Sequence, residues 1–457
     1  MTRNIELPLW LFVLILLFAA VTFASHFLFP SVRWFFRRRL ERAVARLNRR
    51  LERPIQPFKL TRRYDMIQRI IYNPQVSQAI ADHAHAEGVP ENVAFQQARR
   101  YAREIVPSFS ASLYFGVAIR AARLLSNAIY HVRLRQLDEP ALRAIDPEAT
   151  VVFVMNHRSN MDYVLVTYLA ADRSALAYAV GEWARVWPLS RLIRAMGAYF
   201  IRRRSRNDLY RAVLACYVQL ATEAGVTQAL FPEGGLSLTG GLMPPKLGLL
   251  KYIADGVDPD RRDVVFVPVA LNYDRVLEDR ILIAAGKGTG RRFNARIGVI
   301  AAQLLRRVWL WITGRYRRFG QAVVTFGAPL SLRALRAEHK GDVTEALAER
   351  LMQRIADGVP VLPVPLLAWL VLAHGPMTRA ELDDRARAVL ATLPASNAGR
   401  LCADPHGAME AGLAALCRQG ALRLEAERYV PTPEGRDLLR FYGNSIRHLM
   451  PEAEDIA

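Results

Sequence analysis

At 457 residues the chain is too long for one ordinary hydrophobic core, so we expect more than one structural unit. An apolar fraction of 52% and a charged fraction of 23% exclude a disordered or low-complexity protein. The formal charge of +20 favours polyanionic partners, namely nucleic acid, anionic lipid headgroups or phosphorylated molecules. The three cysteines form no CxxC pair, which argues against a disulfide framework and a structural zinc site.

The chain begins with an apolar segment, residues 7–29, that is long enough to cross the hydrocarbon core as one helix. Nine arginines follow between Arg33 and Arg53, so the positive-inside rule predicts a single-pass protein of the cell (inner) membrane with its bulk in the cytoplasm. A cleaved signal peptide is the alternative, and it would be shorter and preceded by its basic residues. The arginines would lie among anionic membrane lipids, which we expect as partners. No nucleic-acid-binding motif accompanies them, so we expect no nucleic-acid partner.

Helical patterns dominate from residue 31 to residue 130, with runs at 31–51, 89–105 and 109–130. Beyond them, short β-rich runs alternate with helical runs. We predict strands at 151–155, 175–180, 198–201, 227–231, 264–270 and 322–326. We predict helices between them at 162–171, 189–196, 208–224 and 246–254. This alternation indicates a layered α/β domain with a mixed sheet and flanking helices, whose reactive residues lie on loops beyond the carboxyl ends of the strands.

Two later apolar stretches need an interpretation. Residues 297–313 are broken by Arg306 and Arg307, and we expect this helix to pack against the core rather than lie on the membrane. Residues 359–373 contain three prolines and are too short to span a bilayer comfortably. We therefore predict four regions: a transmembrane anchor at 1–30, a helical N-terminal region at 31–130, the α/β domain at 131–358 and a helical C-terminal unit at 359–457.

The run NHRSNMD at 156–162 follows the first predicted strand directly. Positions five apart on a continuous helix point about 140° apart and could not meet. If the helix begins at Ser159 or Asn160, both good N-caps, His157 stays on the preceding loop and Asp162 can reach back to it. A carboxylate on one imidazole nitrogen fixes the tautomer and leaves the other nitrogen to act as a base. The pair predicts general-base chemistry, and the alternative is a surface histidine beside a helix cap.

Three further segments contain residues suited to binding. A short strand runs into consecutive arginines at 202–204, whose planar guanidinium groups suit phosphate oxygens. The run FPEGG at 231–235 has paired glycines that let a ligand approach the backbone, and Lys246 lies at a predicted helix start. The strand around Pro268 reads as buried core. Taken singly, these segments are also explained by solvated charge, a turn and core packing.

Together and in this order, the four segments resemble the four motifs of the glycerolipid acyltransferases, above all the glycerol-3-phosphate 1-O-acyltransferases of the bacterial and mitochondrial type. The likeness covers about residues 100–450, because the run FYGNSIRHL at 441–449 is similar to a C-terminal segment of that family. It implies that His157 and Asp162 are the catalytic pair. It also implies that the matching motif positions bind substrate, namely Arg158, Ser159, Arg202, Arg203, Glu233, Gly234, Gly235, Lys246 and Pro268.

The resemblance implies transfer of a fatty acyl group from acyl-CoA or acyl carrier protein to the sn-1 hydroxyl of glycerol 3-phosphate, in phospholipid biosynthesis. His157 would take the proton of the acceptor hydroxyl, and donors near the start of the following helix would stabilise the oxyanion. No serine or cysteine lies in an activated context, so we expect no acyl-enzyme, no metal and no other cofactor. Cys216 lies in an apolar run and is expected in the core.

The third motif departs from the family pattern. The family usually has arginines that hold the acceptor phosphate where this chain has Leu236, Leu238 and Gly241. Other cations would then have to hold that phosphate, namely Arg202, Arg203, Arg204 and Lys246. Two alternatives therefore stay open. One is an acyltransferase for 1-acylglycerol 3-phosphate, and the other is a catalytically silent membrane scaffold that binds acyl chains.

Overall fold

The computed structural model describes residues 8–19, 44–49, 53–169, 175–181, 189–202, 207–288, 318–339, 341–394 and 405–450, together with residues 22, 42, 51 and 397. Contacts within the chain divide it into two compact units, residues 1–55 and residues 56–457.

The first unit contains an apolar helix, Leu9–Ala19, within the segment predicted to span the membrane. Most of the remaining segment, and most of the arginine-rich stretch behind it, lies outside the described residues. In the part of the chain that the structure describes, no single helix combines the length and the apolar character of a membrane crossing. Two successive helices, Thr344–Gly358 and Pro363–His374, reach that length only together, with a bend of 91°. The transmembrane anchor stays a prediction.

The second unit opens with helices, as predicted for this part of the sequence. They are Pro57–Leu60, Arg63–Ile71, Pro74–Glu87, Glu91–Ile105, Ala111–Leu113 and Ile119–Ile129, with a π-helical turn at Tyr114–Ala118. The ends of Pro74–Glu87 follow from local chemistry. Asn73 accepts a hydrogen bond from the N–H of Gln75 at the start, and Gly88 ends the helix in the left-handed conformation at φ 63°.

The main sheet of the second unit has eight strands in the order β1-β7-β6-β2-β5-β3-β4, with β8 beside β6. They are β1 His131–Gln136, β2 Thr150–Met155, β3 Ala177–Gly181, β4 Tyr199–Ile201, β5 Gln228–Leu230, β6 Val264–Tyr273, β7 Gln321–Phe326 and β8 Leu330–Ser331. All pairs are parallel except those of β6 with β7 and β8. This confirms the layered α/β fold with a mixed sheet.

Helices connect these strands or follow them. They are Glu139–Arg143, Met161–Leu169, Leu189–Ala195, Asp208–Glu223, Gly248–Asp255, Asp279–Gly286, Leu332–Glu338 and Thr344–Gly358. The six predicted strands correspond to β2–β7. Strand β1 is not among them, because its sequence HVRLRQ mixes apolar and charged residues and none of them is buried. Among the described strands β1 pairs only with β7, and this place at the edge of the sheet accounts for its composition.

Strands β2 and β6 place the loop that carries the first motif. Every residue of both strands is buried, which fits their mostly apolar sequences. They run parallel with Met155 opposite Val269. One residue further on, the side chain of Asn156 donates to the carbonyl of Leu271 at 3.0 Å and accepts from its N–H at 2.8 Å. This exchange extends the pairing past β2 and fixes where the following loop leaves the sheet.

The C-terminal region combines helices with a second, smaller sheet. The helices are Pro363–His374, Arg379–Thr392, Pro405–Arg418 and Arg436–Gly443, with a 3₁₀ turn at Arg447–Leu449. The sheet is antiparallel in the order β10-β11-β9, formed by β9 Met377–Thr378, β10 Leu422–Glu425 and β11 Arg428–Pro431. The predicted helical unit therefore also contains strands. The predicted helix at 297–313 lies outside the described residues, and the four region boundaries stay predictions.

Candidate active site

The loop after β2 brings His157 and Asp162 together. His157 Nδ1 lies 2.9 Å from Asp162 Oδ2. The helix Met161–Leu169 begins only after the histidine, and the hydroxyl of Ser159 accepts a hydrogen bond from the first helical N–H at 3.1 Å. His157 thus stays on the loop, while Asp162 lies in the first turn of the helix and reaches back to it.

Four hydrogen bonds hold the carboxylate of Asp162. Besides the contact with His157, Oδ2 accepts the backbone N–H groups of Arg158 at 2.7 Å and Ser159 at 3.0 Å, and Oδ1 accepts the hydroxyl of Tyr273. His157 and Asp162 expose 1% and 0% of their surface. Because the carboxylate bonds to Nδ1, that nitrogen carries the ring proton, and Nε2 is the nitrogen that can accept one.

The third motif lies directly against the histidine. The ring of Phe231 stacks on the imidazole with centroids 3.9 Å apart, and the ring of Tyr163 meets it edge-on at 5.4 Å. The N–H of Ser237 donates to the carbonyl of His157 at 2.9 Å. These contacts fix both the ring and the backbone of the histidine.

Glu233 is the acid of the third motif, and only 1% of its surface is exposed. Burial raises the pKa of Glu233 to about 8, while the backbone N–H of His157 and the charge of Arg158 act in the opposite direction. At neutral pH the carboxyl therefore holds a proton for much of the time. In that form it can donate a hydrogen bond to a substrate oxygen as well as accept one.

Arg158 is a buried cation beside the pair. Its Nη1 donates to the carbonyl of Gly240, and the ring of Phe441 lies 5.6 Å from its Cζ. Within the residues that the structure describes, its Nε and Nη2 are buried and have no hydrogen-bond partner. Burial lowers the pKa of Arg158, against the attraction of Asp162 and Glu233. Buried N–H groups without a partner are costly, so these two are suited to bind a substrate oxygen.

Arg202 follows β4 and is bound by Glu104, which precedes it by 98 residues. Its Nε and Nη2 donate to the two carboxylate oxygens of Glu104 at 2.9 and 2.7 Å. The rings of Tyr101 and Tyr210 lie 5.2 and 5.5 Å from its Cζ. The bonds to Glu104 raise the pKa of Arg202 above its ordinary value. One edge of the guanidinium group is therefore occupied by Glu104.

Lys246 lies over the glycines of the third motif. Its N–H donates to the carbonyl of Pro232 at 2.8 Å. Gly234 has φ 68°, and a Cβ built on it would lie 2.7 Å from Cδ of Lys246. Gly234 is therefore required both by its backbone conformation and by the close lysine chain. Gly235 follows it in the same half-buried loop.

The remaining predicted binding residues lie within the sheet or outside the described residues. Pro268 is buried within β6 opposite Val154, and its ring would lie 3.0 Å from a Cβ at Gly327. These contacts belong to the sheet core. Arg203 and Arg204 lie outside the described residues.

The positions that depart from the family pattern lie along one loop. Leu236 is half-buried against the core, and Leu238 is 38% exposed. A Cβ at Gly241 would lie 3.4 Å from the carbonyl of Asn444. The side chain of Asn444 also donates a hydrogen bond to the carbonyl of Thr239 at 3.0 Å. The C-terminal segment 441–449 therefore lies against this end of the third motif.

The carboxylate of Glu278 accepts the hydroxyl of Ser159 and the N–H of Asn160. Four residues of the site have no role in the sequence prediction: Glu104, Phe231, Tyr273 and Glu278. Tyr273 is the last residue of β6 and Glu278 lies five residues beyond it, so their position at the carboxyl end of a strand is the signal that could have identified them. Phe231 is part of the quoted third motif, but its stacking depends on the fold. Glu104 has no local signal, because it precedes Arg202 by 98 residues.

Cys216 is 1% exposed, and burial raises its pKa to about 11, so its predicted core position is confirmed and it is poorly suited to be a nucleophile. Among the described residues, no group of three or more His, Cys, Asp or Glu side chains is placed to hold a metal ion.

Two family models match the chain. Residues 136–272 match the acyltransferase model, and residues 309–453 match the model of the glycerol-3-phosphate acyltransferase C-terminal region. The first match contains the His157–Asp162 pair. The second contains Phe441, whose ring lies beside Arg158, and Asn444, which donates to the carbonyl of Thr239.

Curated relatives match most of the chain. A glycerol-3-phosphate acyltransferase of Pseudomonas putida is 28% identical over 85% of this chain and 49% of the relative. One of Pseudomonas fluorescens is 30% identical over 77% of this chain and 43% of the relative. One of Xanthomonas campestris is 27% identical over 81% of this chain and 43% of the relative. The chain thus matches less than half the length of these relatives.

Proposed function

This chain belongs to the glycerol-3-phosphate acyltransferase family, and we propose that it transfers a fatty acyl group from a thioester to the sn-1 hydroxyl of glycerol 3-phosphate. The donor would be acyl-CoA or acyl carrier protein, and the product would serve phospholipid biosynthesis. One observation carries the proposal, the buried contact of 2.9 Å between His157 Nδ1 and Asp162 Oδ2.

The reaction moves one proton from the acceptor hydroxyl to His157 and then from His157 to the leaving thiolate. His157 Nε2 accepts the proton of the acceptor hydroxyl while the hydroxyl oxygen bonds to the thioester carbonyl carbon. The tetrahedral oxyanion then collapses, the carbon–sulfur bond breaks, and the departing thiolate takes the proton from the imidazolium. Asp162 stabilises the imidazolium between these steps. The pair ends as it began, and the products are an ester and a thiol.

The oxyanion would be bound best by a donor that has no other hydrogen-bond partner. The first N–H groups there, at Ser159, Asn160 and Met161, already donate to side-chain oxygens. These N–H groups are therefore less available to bind the oxyanion, and their expected role stays a proposal. Arg158 is the better candidate, since its Nε and Nη2 have no partner among the described residues.

The acceptor phosphate would be held by the cations of the second and third motifs. Glu104 occupies the Nε–Nη2 edge of Arg202, which leaves the Nη1 edge to face a phosphate oxygen. Lys246 and Arg203 would complete the set. Ser159, Glu233, Gly234, Gly235 and Pro268 complete the proposed substrate-binding residues.

The place of the reaction would be the cell (inner) membrane. The apolar segment 7–29 supports a single membrane crossing, and the arginines behind it support contact with anionic lipids on the cytoplasmic side. A membrane location also suits the product, whose acyl chain is insoluble in water.

A second acceptor is favoured by one observation. Leu236, Leu238 and Gly241 line the third-motif loop where the family has arginines, so this side of the site offers apolar surface. An acceptor that already has an acyl chain, 1-acylglycerol 3-phosphate, would suit such a surface. A catalytically silent scaffold that binds acyl chains is the third reading, and the ordered His157–Asp162 pair counts against it.

The test is acyl transfer by the detergent-purified protein, with glycerol 3-phosphate and 1-acylglycerol 3-phosphate offered separately and His157→Ala as the control. We expect transfer to glycerol 3-phosphate that His157→Ala abolishes without loss of folding. Transfer to the lysolipid alone would establish the second acceptor. If neither acceptor is acylated with either donor, the hypothesis of a catalytically silent scaffold is favoured over that of an enzyme.

A further inference from the structure

We propose that residues 273–279, here called the positioning segment, hold the loop 157–162 in its working geometry through Tyr273 and Glu278. The inference rests on the proposed role of His157 and goes beyond it, because it names residues that act on the reaction only through the histidine and its carboxylate.

Tyr273 is the last residue of β6 and is fully buried. Its hydroxyl donates to Oδ1 of Asp162, while Oδ2 accepts the three other hydrogen bonds of that carboxylate. The two oxygens turn together about the Cβ–Cγ bond, so a donor fixed on Oδ1 sets the direction of Oδ2 toward His157. Burial, and next the charge of Asp162, raise the pKa of Tyr273 well above its ordinary value, which keeps the hydroxyl protonated as a donor.

Glu278 holds the other part of the same loop. Its Oε2 accepts the hydroxyl of Ser159 at 3.0 Å, and its Oε1 accepts the N–H of Asn160 at 2.7 Å. The hydroxyl of Ser159 in turn accepts the N–H of Met161, where the helix begins. Glu278 is 8% exposed, so both bonds lie away from solvent. It therefore fixes the turn that lets Asp162 reach back to His157.

The positioning segment is itself tied to the C-terminal region. The hydroxyl of Tyr442 accepts the N–H of Val276 at 3.1 Å and donates to Oδ2 of Asp279 at 2.7 Å. Asp274 accepts the N–H of Val364 at 3.3 Å. The C-terminal region thus contacts the positioning segment, and this segment contacts the loop that carries His157 and Asp162. Through these contacts the C-terminal region helps to fix the position of the catalytic pair.

The first test compares Tyr273→Phe with Tyr217→Phe. Both substitutions remove one hydroxyl from a buried tyrosine, but Tyr217 lies in the helix Asp208–Glu223 with its ring beside Tyr199. We expect Tyr273→Phe to lower kcat by about 10-fold to 100-fold, with KM for both substrates within about threefold. The acid limb of the kcat/KM profile should move to higher pH, because a carboxylate with one donor fewer attracts the imidazolium proton more strongly. Tyr217→Phe should change neither.

The second test compares Glu278→Ala with Glu278→Gln. The glutamine can still accept the N–H of Asn160, so we expect it to restore most of the kcat that alanine loses. Equal losses in both would show that the charge of Glu278 matters rather than its position, and would overturn the proposal. Loss of kcat in Tyr217→Phe to the same extent as in Tyr273→Phe would also overturn it.

Hydrogen–deuterium exchange separates this proposal from the proposed function. The N–H groups of Arg158, Ser159 and Asn160 donate to Asp162 and Glu278, so the peptide covering 157–162 should exchange faster in Tyr273→Phe and Glu278→Ala. Tyr217→Phe should exchange there as the unchanged protein does. If the unchanged protein transfers no acyl group, the function fails while this readout still decides the positioning role. Unaltered exchange in all variants would refute it.

Discussion

Arg202 donates from Nε and Nη2 to both carboxylate oxygens of Glu104, and this fork ties the strand end after β4 to the helix Glu91–Ile105. Glu104 is 8% exposed, so its carboxylate has lost most of its contact with water and the fork offsets part of that cost. We expect Glu104→Gln to lower the free energy of unfolding by about 1–3 kcal/mol, because one charge-assisted bond weakens and another is lost. Denaturant unfolding of the two proteins measures the difference.

Arg202→Lys changes the other partner of the ion pair with Glu104. Lysine keeps the charge but loses the planar fork, so we expect a similar loss of stability together with about a tenfold rise in KM for glycerol 3-phosphate. The kcat should change by less than about threefold, because a contact that is equally strong in the bound substrate and in the transition state affects KM and not kcat. An unchanged KM would show that Arg202 braces the helix and does not bind the acceptor.

Gly240 lies where the C-terminal segment crosses the third motif. It has φ 84°, and a Cβ there would overlap the backbone carbonyl of Phe441. We therefore expect Gly240→Ala to lower the free energy of unfolding by at least about 2 kcal/mol, and to reduce acyl transfer. Gly248→Ala is the control, because a Cβ at Gly248, in a helix, would meet no atom within 4 Å. A thermal midpoint for Gly240→Ala equal to that of the control would contradict the close contact.

Glu233 makes stability depend on pH. Its pKa rises on burial from the ordinary 4.5 to about 8, so between these values the folded protein keeps a proton that the unfolded chain releases. The resulting stabilisation is complete at low pH and is lost as pH rises toward about 8, by at most about 1.4 kcal/mol per pH unit.

Glu233→Gln keeps the shape and has no proton to release. We expect the stability of the unchanged protein, relative to this variant, to fall steadily between about pH 5 and about pH 8. Urea unfolding of both proteins across that range gives the difference. A difference that stays constant with pH would mean that the carboxyl is not buried as described.

The sequence was sufficient for the parts of the fold that depend on local or continuous patterns. Strands β2 and β6 are apolar apart from Thr150 and Asn272 because they lie inside the sheet. The spacing of His157 and Asp162 needed only a helix start between them to become a pair. Strand β1 escaped prediction because an edge strand needs no continuous apolar pattern.

The rest of the site depends on long-range contacts. Tyr273 reaches Asp162 across 111 residues, and Glu278 reaches Ser159 across 119. Such partners are set by which strands lie side by side, and no local pattern contains that information. The N–H groups at the helix start show the same limit, because the sequence did not indicate that Asp162 and Glu278 accept hydrogen bonds from them.

The central claim is that His157 and Asp162 act as one unit in acyl transfer. Its most direct test is the turnover of labelled glycerol 3-phosphate by the unchanged protein, His157→Ala, Asp162→Asn and the double variant, each checked for native melting. We expect His157→Ala to lose about 100-fold to 10,000-fold, and the double variant to lose no more than the worse single one. Losses that multiply in the double variant, or full turnover by His157→Ala, would contradict the account.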